Sequence, residues 1–189
     1  MNLPNKLTVL RIILIPLFLF FIYCDFIPYH FLLSFLVFTV ASLTDLLDGK
    51  IARKQGLVTD FGKFMDPLAD KLLVISAMVA FVGLDLVPSL AVIIILAREL
   101  LVTSLRLVAA GDGIVIAADK WGKYKTTSQM LWVCFVLISG FLIYDLKITA
   151  LEGVFNIVST IMLIIVLFLT VYSGYNYMAL NKDVFLKTK

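Results

Sequence analysis

Residues 153–181 read GVFNIVSTIMLIIVLFLTVYSGYNYMALN and contain no charged side chain. A helix needs about 20 mostly apolar residues to cross a bilayer, so this segment alone is long enough. Residues 126–144, TTSQMLWVCFVLISGFLIY, form a second uncharged run. Runs of this length predict membrane helices rather than a β-barrel, whose strands would show short segments of alternating polarity.

The composition of the whole chain agrees with this interpretation. The chain has 189 residues, of which 62% are hydrophobic and 15% are charged. Soluble domains are roughly 45–50% apolar and about 25% charged. The composition therefore excludes a water-soluble enzyme, a disordered tail and a disulfide-stapled secreted domain. We expect a single domain over residues 1–189, and the small net charge of +3 gives no reason to expect a nucleic-acid partner.

Four further apolar segments bring the predicted number of membrane spans to six. An even number places both termini on the same side, and fifteen of the sixteen lysines and arginines then share that side, with only Lys147 opposite. The positive-inside rule makes the crowded side cytoplasmic. We predict an all-α integral membrane protein with six transmembrane helices and both termini in the cytoplasm. The predicted spans are residues 7–24, 26–44, 62–84, 87–110, 126–144 and 153–181.

Acidic residues are concentrated where the second and third spans meet the cytoplasm. Asp45 and Asp48 are three residues apart, and Asp66 and Asp70 are four apart. On a helix, either spacing puts both members of the pair on one face. A connection of about eight residues predicts antiparallel neighbouring helices, so that the two pairs can face each other. Charged groups at membrane depth are rare and indicate function by default.

Four carboxylates without histidine or cysteine suit Mg²⁺ or Mn²⁺. Two such ions can act as a clamp in phosphoryl transfer. Gly49 and Gly62 allow close approach of a ligand or backbone, and Arg53 offers a fork of donors to phosphate oxygens. Each feature has a structural explanation of its own; Asp66 and Pro67, for example, form an ordinary helix start. The combination within 26 residues is not explained in that way.

These residues resemble a known family. Residues 45–70 follow the pattern D-x2-D-G-x2-A-R-x8-G-x3-D-x3-D of the CDP-alcohol phosphatidyltransferases at every fixed position and every gap. Members of this family move a phosphatidyl group from CDP-diacylglycerol, or a related CDP-linked donor, to an alcohol and release CMP. The resemblance implies an active site at the cytoplasmic interface with two Mg²⁺ or Mn²⁺ ions. Their ligands would be Asp45, Asp48, Asp66 and Asp70, with Asp70 also acting as the catalytic base.

The resemblance also implies where the two substrates bind. The segments 2–11, 98–106 and 121–126 are similar to those of bacterial members that use sn-glycerol 3-phosphate as the acceptor. Several cations near the diphosphate independently indicate a second anion, which a phosphorylated alcohol supplies. We expect the acceptor phosphate to bind Arg98, Arg106, Lys123 and Lys125. CDP-diacylglycerol would bind Gly49, Ala52, Arg53, Thr59 and Gly62, with Asn5 and Thr8 bordering the site.

Other interpretations stay open at this stage. The acceptor could be inositol phosphate or serine, the lysines could reflect only the positive-inside rule, and Glu99 could simply pair with a basic neighbour. A carboxylate-based cation transporter is the alternative from another class, although its charges should lie near the midplane on broken helices. We expect the protein to be a multi-pass protein of a bacterial plasma membrane, in contact with membrane lipids, and a homodimer as its relatives typically are.

Overall fold

The computed structural model describes residues 3–55, 60–111 and 119–182, and within them the side chains of residues 6–44, 69, 71–109 and 119–182. Regular structure in these ranges is helical, without a β-strand, which confirms the all-α prediction. A π-helical turn (Phe141–Asp145) and a 3₁₀ turn (Thr149–Leu151) lie between the last two long helices. The long helices are α1 (Leu3–Tyr23), α2 (His30–Gln55), α3 (Asp60–Gly83), α4 (Ser89–Gly111), α5 (Lys120–Gly140) and α6 (Glu152–Leu180).

Several of these helices have the length and composition of membrane spans. Among the described residues, three segments are long and apolar enough to cross a bilayer: Lys6–Tyr23, Lys120–Asp145 and Thr149–Leu180. Two shorter apolar stretches, His30–Thr44 and Lys71–Gly83, lie within α2 and α3. α4 carries three charged residues, Arg98 and Glu99 near its middle and Arg106 in its second half. The structure therefore fits a membrane protein, and the number of six spans stays a prediction.

The facing ends of α2 and α3 differ from the expectation. α2 continues beyond Thr44 as far as Gln55, and α3 has already begun at Asp60. The motif aspartates consequently lie inside helices rather than at their ends. The explanation of Asp66 and Pro67 as a helix start is wrong, because α3 begins six residues before Asp66.

The described chain divides into two compact units, of which the first comprises Met1–Leu86 and Val133–Phe155. Within it, α1 packs against both α2 and α3. Phe18 of α1 and Phe38 of α2 are fully buried, with their ring centroids 6.0 Å apart. α1 is therefore in contact with both of the helices that carry the acidic motif.

A residue far along the chain caps the N-terminus of α2. Asp145 Oδ2 accepts hydrogen bonds from the backbone N–H of Phe31 at 3.1 Å and of Leu32 at 3.2 Å. His30 Nε2 lies 3.6 Å from Asp145 Oδ1. A carboxylate in this position satisfies amides that have no partner within the helix and interacts favourably with the helix dipole. Gly140 permits the approach, since a Cβ there would lie 2.3 Å from the Phe31 ring.

The second unit comprises Val87–Trp132 and Asn156–Lys189, and so contains α4 with most of α5 and α6. Trp132 on α5 is fully buried. Its indole N–H donates a hydrogen bond to Ser159 Oγ on α6 at 3.2 Å. This bond satisfies the only polar atom of a large side chain that otherwise contributes apolar contact area.

Two further contacts join the start of α5 to the later part of α6. The ring of Trp121 meets that of Tyr172 edge to face, with centroids 4.6 Å apart. Asn176 Nδ2 donates a hydrogen bond to Asp119 Oδ2 at 2.7 Å. These contacts fix the first turns of α5, which carry three lysines, against α6.

Candidate active site

The four motif aspartates lie on two helices of the first unit, Asp45 and Asp48 on α2 and Asp66 and Asp70 on α3. Their side chains are outside the described part of the structure. Asp45 is ten residues before the end of α2, and Asp70 is ten residues after the start of α3. At 1.5 Å per residue, each lies about 15 Å from its helix end. Asp48 and Asp66 are seven and six residues from the same ends, so the two pairs lie at similar distances from their helix ends.

The residues predicted to bind CDP-diacylglycerol also belong to the first unit. α1 contains Asn5 and Thr8, and Thr8 is fully buried. α1 packs against α2 and α3, so these two residues belong to a helix in contact with both motif helices. Thr59 lies outside the described residues. The remaining four lie on α2 and α3, and only their backbone is described: Gly49, Ala52, Arg53 and Gly62.

Two of the four residues predicted for the acceptor phosphate meet in the second unit. Glu99 Oε1 on α4 accepts a hydrogen bond from Arg98 Nη1 at 2.9 Å and from Lys125 Nζ on α5 at 2.7 Å. The Lys125 side chain is only 2% exposed. Because an ammonium group is costly to bury without an anion, the ion pair with Glu99 offsets the cost of burying Lys125. We refer to Arg98, Glu99 and Lys125 as the Glu99 cluster.

Glycines on the neighbouring helices leave room for Arg98. A Cβ at Gly174 on α6 would lie 3.2 Å from Arg98 Cγ, and one at Gly122 on α5 would lie 3.8 Å from Arg98 Nη2. The first distance is tighter than ordinary packing, so a larger residue at position 174 would press on the arginine stem. The Nε of Arg98 is buried and has no hydrogen-bond partner among the described residues. A buried donor without an acceptor is unfavourable, and an oxygen ligand would satisfy it.

A cavity of about 280 Å³ lies beside Arg98, between α4 and α6. Arg98 is the one charged residue among those that line it. The other lining residues are apolar, among them Leu101 and Val102 of α4 and Val171 of α6. Arg98 thus adjoins an apolar space in this unit.

Arg106 and Lys123 have different surroundings. The guanidinium carbon of Arg106 lies 5.3 Å from the centroid of the Tyr177 ring, which is a cation–π contact between α4 and α6. Lys123 is exposed near the start of α5. The structure therefore brings Arg98 and Lys125 together through Glu99, and it does not bring Arg106 into that cluster.

Sequence reasoning did not identify every residue of this region. It considered Glu99 only as a possible partner for a basic neighbour, and it gave no role to Gly174 or Tyr177. A usable signal existed for Glu99, because a carboxylate inside an apolar helix is costly unless it is paired. Its second partner, Lys125, lies 26 residues away in the sequence, and no local pattern indicates that distance.

Comparison with known proteins identifies the family of this chain. Residues 1–172 match the family described as CDP-alcohol phosphatidyltransferase. The matched range includes all four motif aspartates and the Glu99 cluster. The chain belongs to the CDP-alcohol phosphatidyltransferase family, and the family predicted from residues 45–70 is confirmed.

Individual relatives match over almost their whole length. A Bacillus subtilis protein named CDP-diacylglycerol–glycerol-3-phosphate 3-phosphatidyltransferase is 42% identical, over 99% of this chain and 98% of its own. The protein of the same name from Rickettsia typhi is 38% identical, over 97% and 99%. The one from Haemophilus influenzae is 35% identical, over 96% and 94%.

Proposed function

We propose that this chain transfers the phosphatidyl group from CDP-diacylglycerol to sn-glycerol 3-phosphate, giving phosphatidylglycerophosphate and CMP. The observation that carries the proposal is the near full-length match to relatives that bear the name of this reaction. The Glu99 cluster supports an anionic acceptor, since it contains two cations and one carboxylate. A phosphate monoester complements this excess of positive charge.

We propose that Asp45, Asp48, Asp66 and Asp70 hold two divalent cations, Mg²⁺ or Mn²⁺. These four ligands fit Mg²⁺ or Mn²⁺, because they offer only carboxylate oxygens and include no histidine or cysteine. The similar distances of the two pairs from the consecutive ends of α2 and α3 support a shared site. When bound, the ions would neutralise the diphosphate and polarise the phosphorus that is attacked.

The residues of the chain would position the donor and remove one proton. Arg53 binds phosphate oxygens, and Gly49 and Gly62 leave space for the nucleotide, with Ala52, Thr59, Asn5 and Thr8 around it. The acceptor hydroxyl forms a bond with the phosphatidyl phosphorus, and the bond from that phosphorus to the bridging oxygen breaks. The bridging oxygen leaves with CMP, and Asp70 takes the hydroxyl proton. Positioning and charge neutralisation do most of the work, since CMP is a good leaving group.

We propose that the acceptor phosphate binds to Arg98 and Lys125. The burial of Lys125 and the unsatisfied Nε of Arg98 support these two residues. Lys123, which is exposed near the start of α5, would assist the entry of the anion. Arg106 would contribute least, because its guanidinium group already packs on Tyr177.

We also propose the setting in which this reaction takes place. The chain would form one catalytic domain over residues 1–189, with six spans and both termini in the cytoplasm of a bacterium. The active site would then face the cytoplasm from the plasma membrane, so that acyl chains stay in lipid and the nucleotide in water. The protein would act as a homodimer.

Product identification tests the proposal. Purified protein in detergent receives CDP-diacylglycerol, a divalent cation and one acceptor at a time, and the lipid product is identified by mass spectrometry. We expect phosphatidylglycerophosphate with sn-glycerol 3-phosphate and no product after chelation of the metal. If a lipid product formed only with serine, or only with inositol phosphate, that alcohol would be the acceptor instead of sn-glycerol 3-phosphate. Metal binding without CMP release from CDP-diacylglycerol in the presence of any acceptor would instead favour the cation transporter.

A further inference from the structure

Glu99 occupies an unexpected place for an acid. It lies among residues proposed to receive a phosphate, and its own negative charge would repel that ligand. A single oxygen, Oε1, accepts both the Arg98 bond at 2.9 Å and the Lys125 bond at 2.7 Å. Arg98 and Lys125 belong to different helices, α4 and α5, so Glu99 joins two donors that the backbone does not hold together.

Arg98 keeps a hydrogen-bond donor after pairing with Glu99. Arg98 uses Nη1 for the carboxylate, whereas its Nε is buried without a hydrogen-bond partner among the described residues. The cluster contains one more positive than negative charge. An anion with several acceptor oxygens can meet this excess, and guanidinium groups bind phosphate oxygens well.

We propose that Glu99 is a positioning residue for the acceptor. It fixes the guanidinium of Arg98 and the ammonium of Lys125 relative to each other, so that both can bind the phosphate monoester of the acceptor alcohol. Glu99 does not contact the acceptor itself. This inference rests on the proposed function, because it assigns Glu99 a role in acceptor binding.

The energetic reason is pre-organisation. Lysine and arginine side chains have many rotamers, and holding each in one geometry costs conformational entropy. Glu99 makes that cost part of folding rather than of substrate binding. Without it, Arg98 and Lys125 would repel each other and separate, and the acceptor would have to order both. The affinity for the acceptor should fall, while the donor site on α2 and α3 keeps its own ligands.

The test is a kinetic comparison of Glu99→Gln with the wild type. We expect the KM for sn-glycerol 3-phosphate to rise by about tenfold, the scale expected for loss of a charge-assisted hydrogen bond. The KM for CDP-diacylglycerol and kcat should change less than about twofold, which is no more than the usual spread in such contacts. Glu152→Gln is the matched control, because Glu152 is an exposed carboxylate at the start of α6, and it should leave all three constants unchanged.

A double-mutant cycle separates positioning from general stabilisation. In a Lys125→Met background, Glu99→Gln should raise the acceptor KM much less than in the wild type, because Glu99 acts through Lys125. Glu99→Asp, which keeps the charge, should give an acceptor KM between those of the wild type and Glu99→Gln. It also supplies the comparison if Glu99→Gln does not accumulate as folded protein.

The outcomes distinguish the two proposals. A wild-type acceptor KM in Glu99→Gln, equal rises for both substrates, or additive effects with Lys125→Met would overturn the positioning role alone. Absence of phosphatidylglycerophosphate from the wild-type reaction would overturn the proposed function, and the role of Glu99 with it.

Discussion

Asp145 and Glu99 are both carboxylates in apolar helical segments, with side chains 2% and 15% exposed, yet they serve different partners. Asp145 accepts hydrogen bonds from two backbone N–H groups at the start of α2. Glu99 accepts them from two cationic side chains. The partners of Asp145 are backbone groups of α2, so its charge caps the N-terminus of that helix. One partner of Glu99, Arg98, keeps a buried Nε without a hydrogen-bond partner among the described residues, which is why the second region indicates binding and the first indicates structure.

The aspartates of α2 and α3 would be a third case, in which the partner is a metal ion. This comparison predicts how substitutions should differ. Replacing a carboxylate that takes part in the chemistry should lower activity without lowering stability. Replacing a carboxylate that stabilises the fold should lower stability and leave the kinetic constants of the folded protein unchanged.

The largest effect is expected for Asp70→Asn. Loss of a general base alone lowers turnover by about 10²- to 10⁴-fold, and Asp70 is also a proposed metal ligand, so we expect no measurable CMP release. Binding of CDP-diacylglycerol should be largely retained, and the thermal midpoint should not fall. Full turnover by this variant would remove Asp70 as the base, and Asp25→Asn, at an exposed aspartate between α1 and α2, is the control.

Asp45→Asn and Asp48→Asn come next. Each should raise both the metal concentration for half-maximal activity and the KM for CDP-diacylglycerol by about 10- to 100-fold, because the metal and the diphosphate bind together. A metal titration of CMP release at several donor concentrations measures both. A change in the acceptor KM alone would contradict the assignment.

Lys125→Ala should have a moderate and selective effect. We expect the KM for sn-glycerol 3-phosphate to rise by about tenfold, which is more than that for CDP-diacylglycerol, since a charge-assisted contact to the phosphate is lost. Lys120→Ala is the matched control, because Lys120 is an exposed lysine on the same helix. Equal changes for both substrates would count against an acceptor role.

Asp145→Ala should have the smallest effect on activity. Loss of the N-terminal cap of α2 should lower stability by about 1 kcal/mol, measured as a lower thermal midpoint in detergent. The kinetic constants at a temperature well below that midpoint should stay at wild-type values. Asp25→Ala should change neither quantity, and a raised KM in Asp145→Ala would erase the distinction between the two kinds of carboxylate.

Much of the fold could be predicted, because long apolar segments of the sequence directly indicate membrane helices. The expected sixth span agrees with α6 to within one residue at each end, whereas α5 begins six residues before the expected fifth span. The extension of α2 to Gln55 could not be found in this way, because its last eleven residues include five charged ones and hydropathy treats them as a loop. Lysine and arginine are nevertheless good helix formers, so the helix continues.

The candidate site was predictable to the extent that its residues are close in sequence. The members of each aspartate pair are three or four residues apart, so the helix period alone places them on one face. The bond between Lys125 and Glu99 and the cap of α2 by Asp145 join distant segments, so only the packing reveals them. For Arg106, sequence spacing alone was not sufficient. Its spacing from Arg98 on the helix predicted a shared face, but its guanidinium group packs on Tyr177.

The proposed mechanism requires the acids of α2 and α3 to share divalent ions around the diphosphate of the donor. Anomalous diffraction from crystals grown with Mn²⁺ and CDP-diacylglycerol would locate these ions. We expect two manganese peaks between α2 and α3, coordinated by Asp45, Asp48, Asp66 and Asp70 and adjoining the diphosphate. Aspartates that point apart, with no manganese peak beside them, would contradict it.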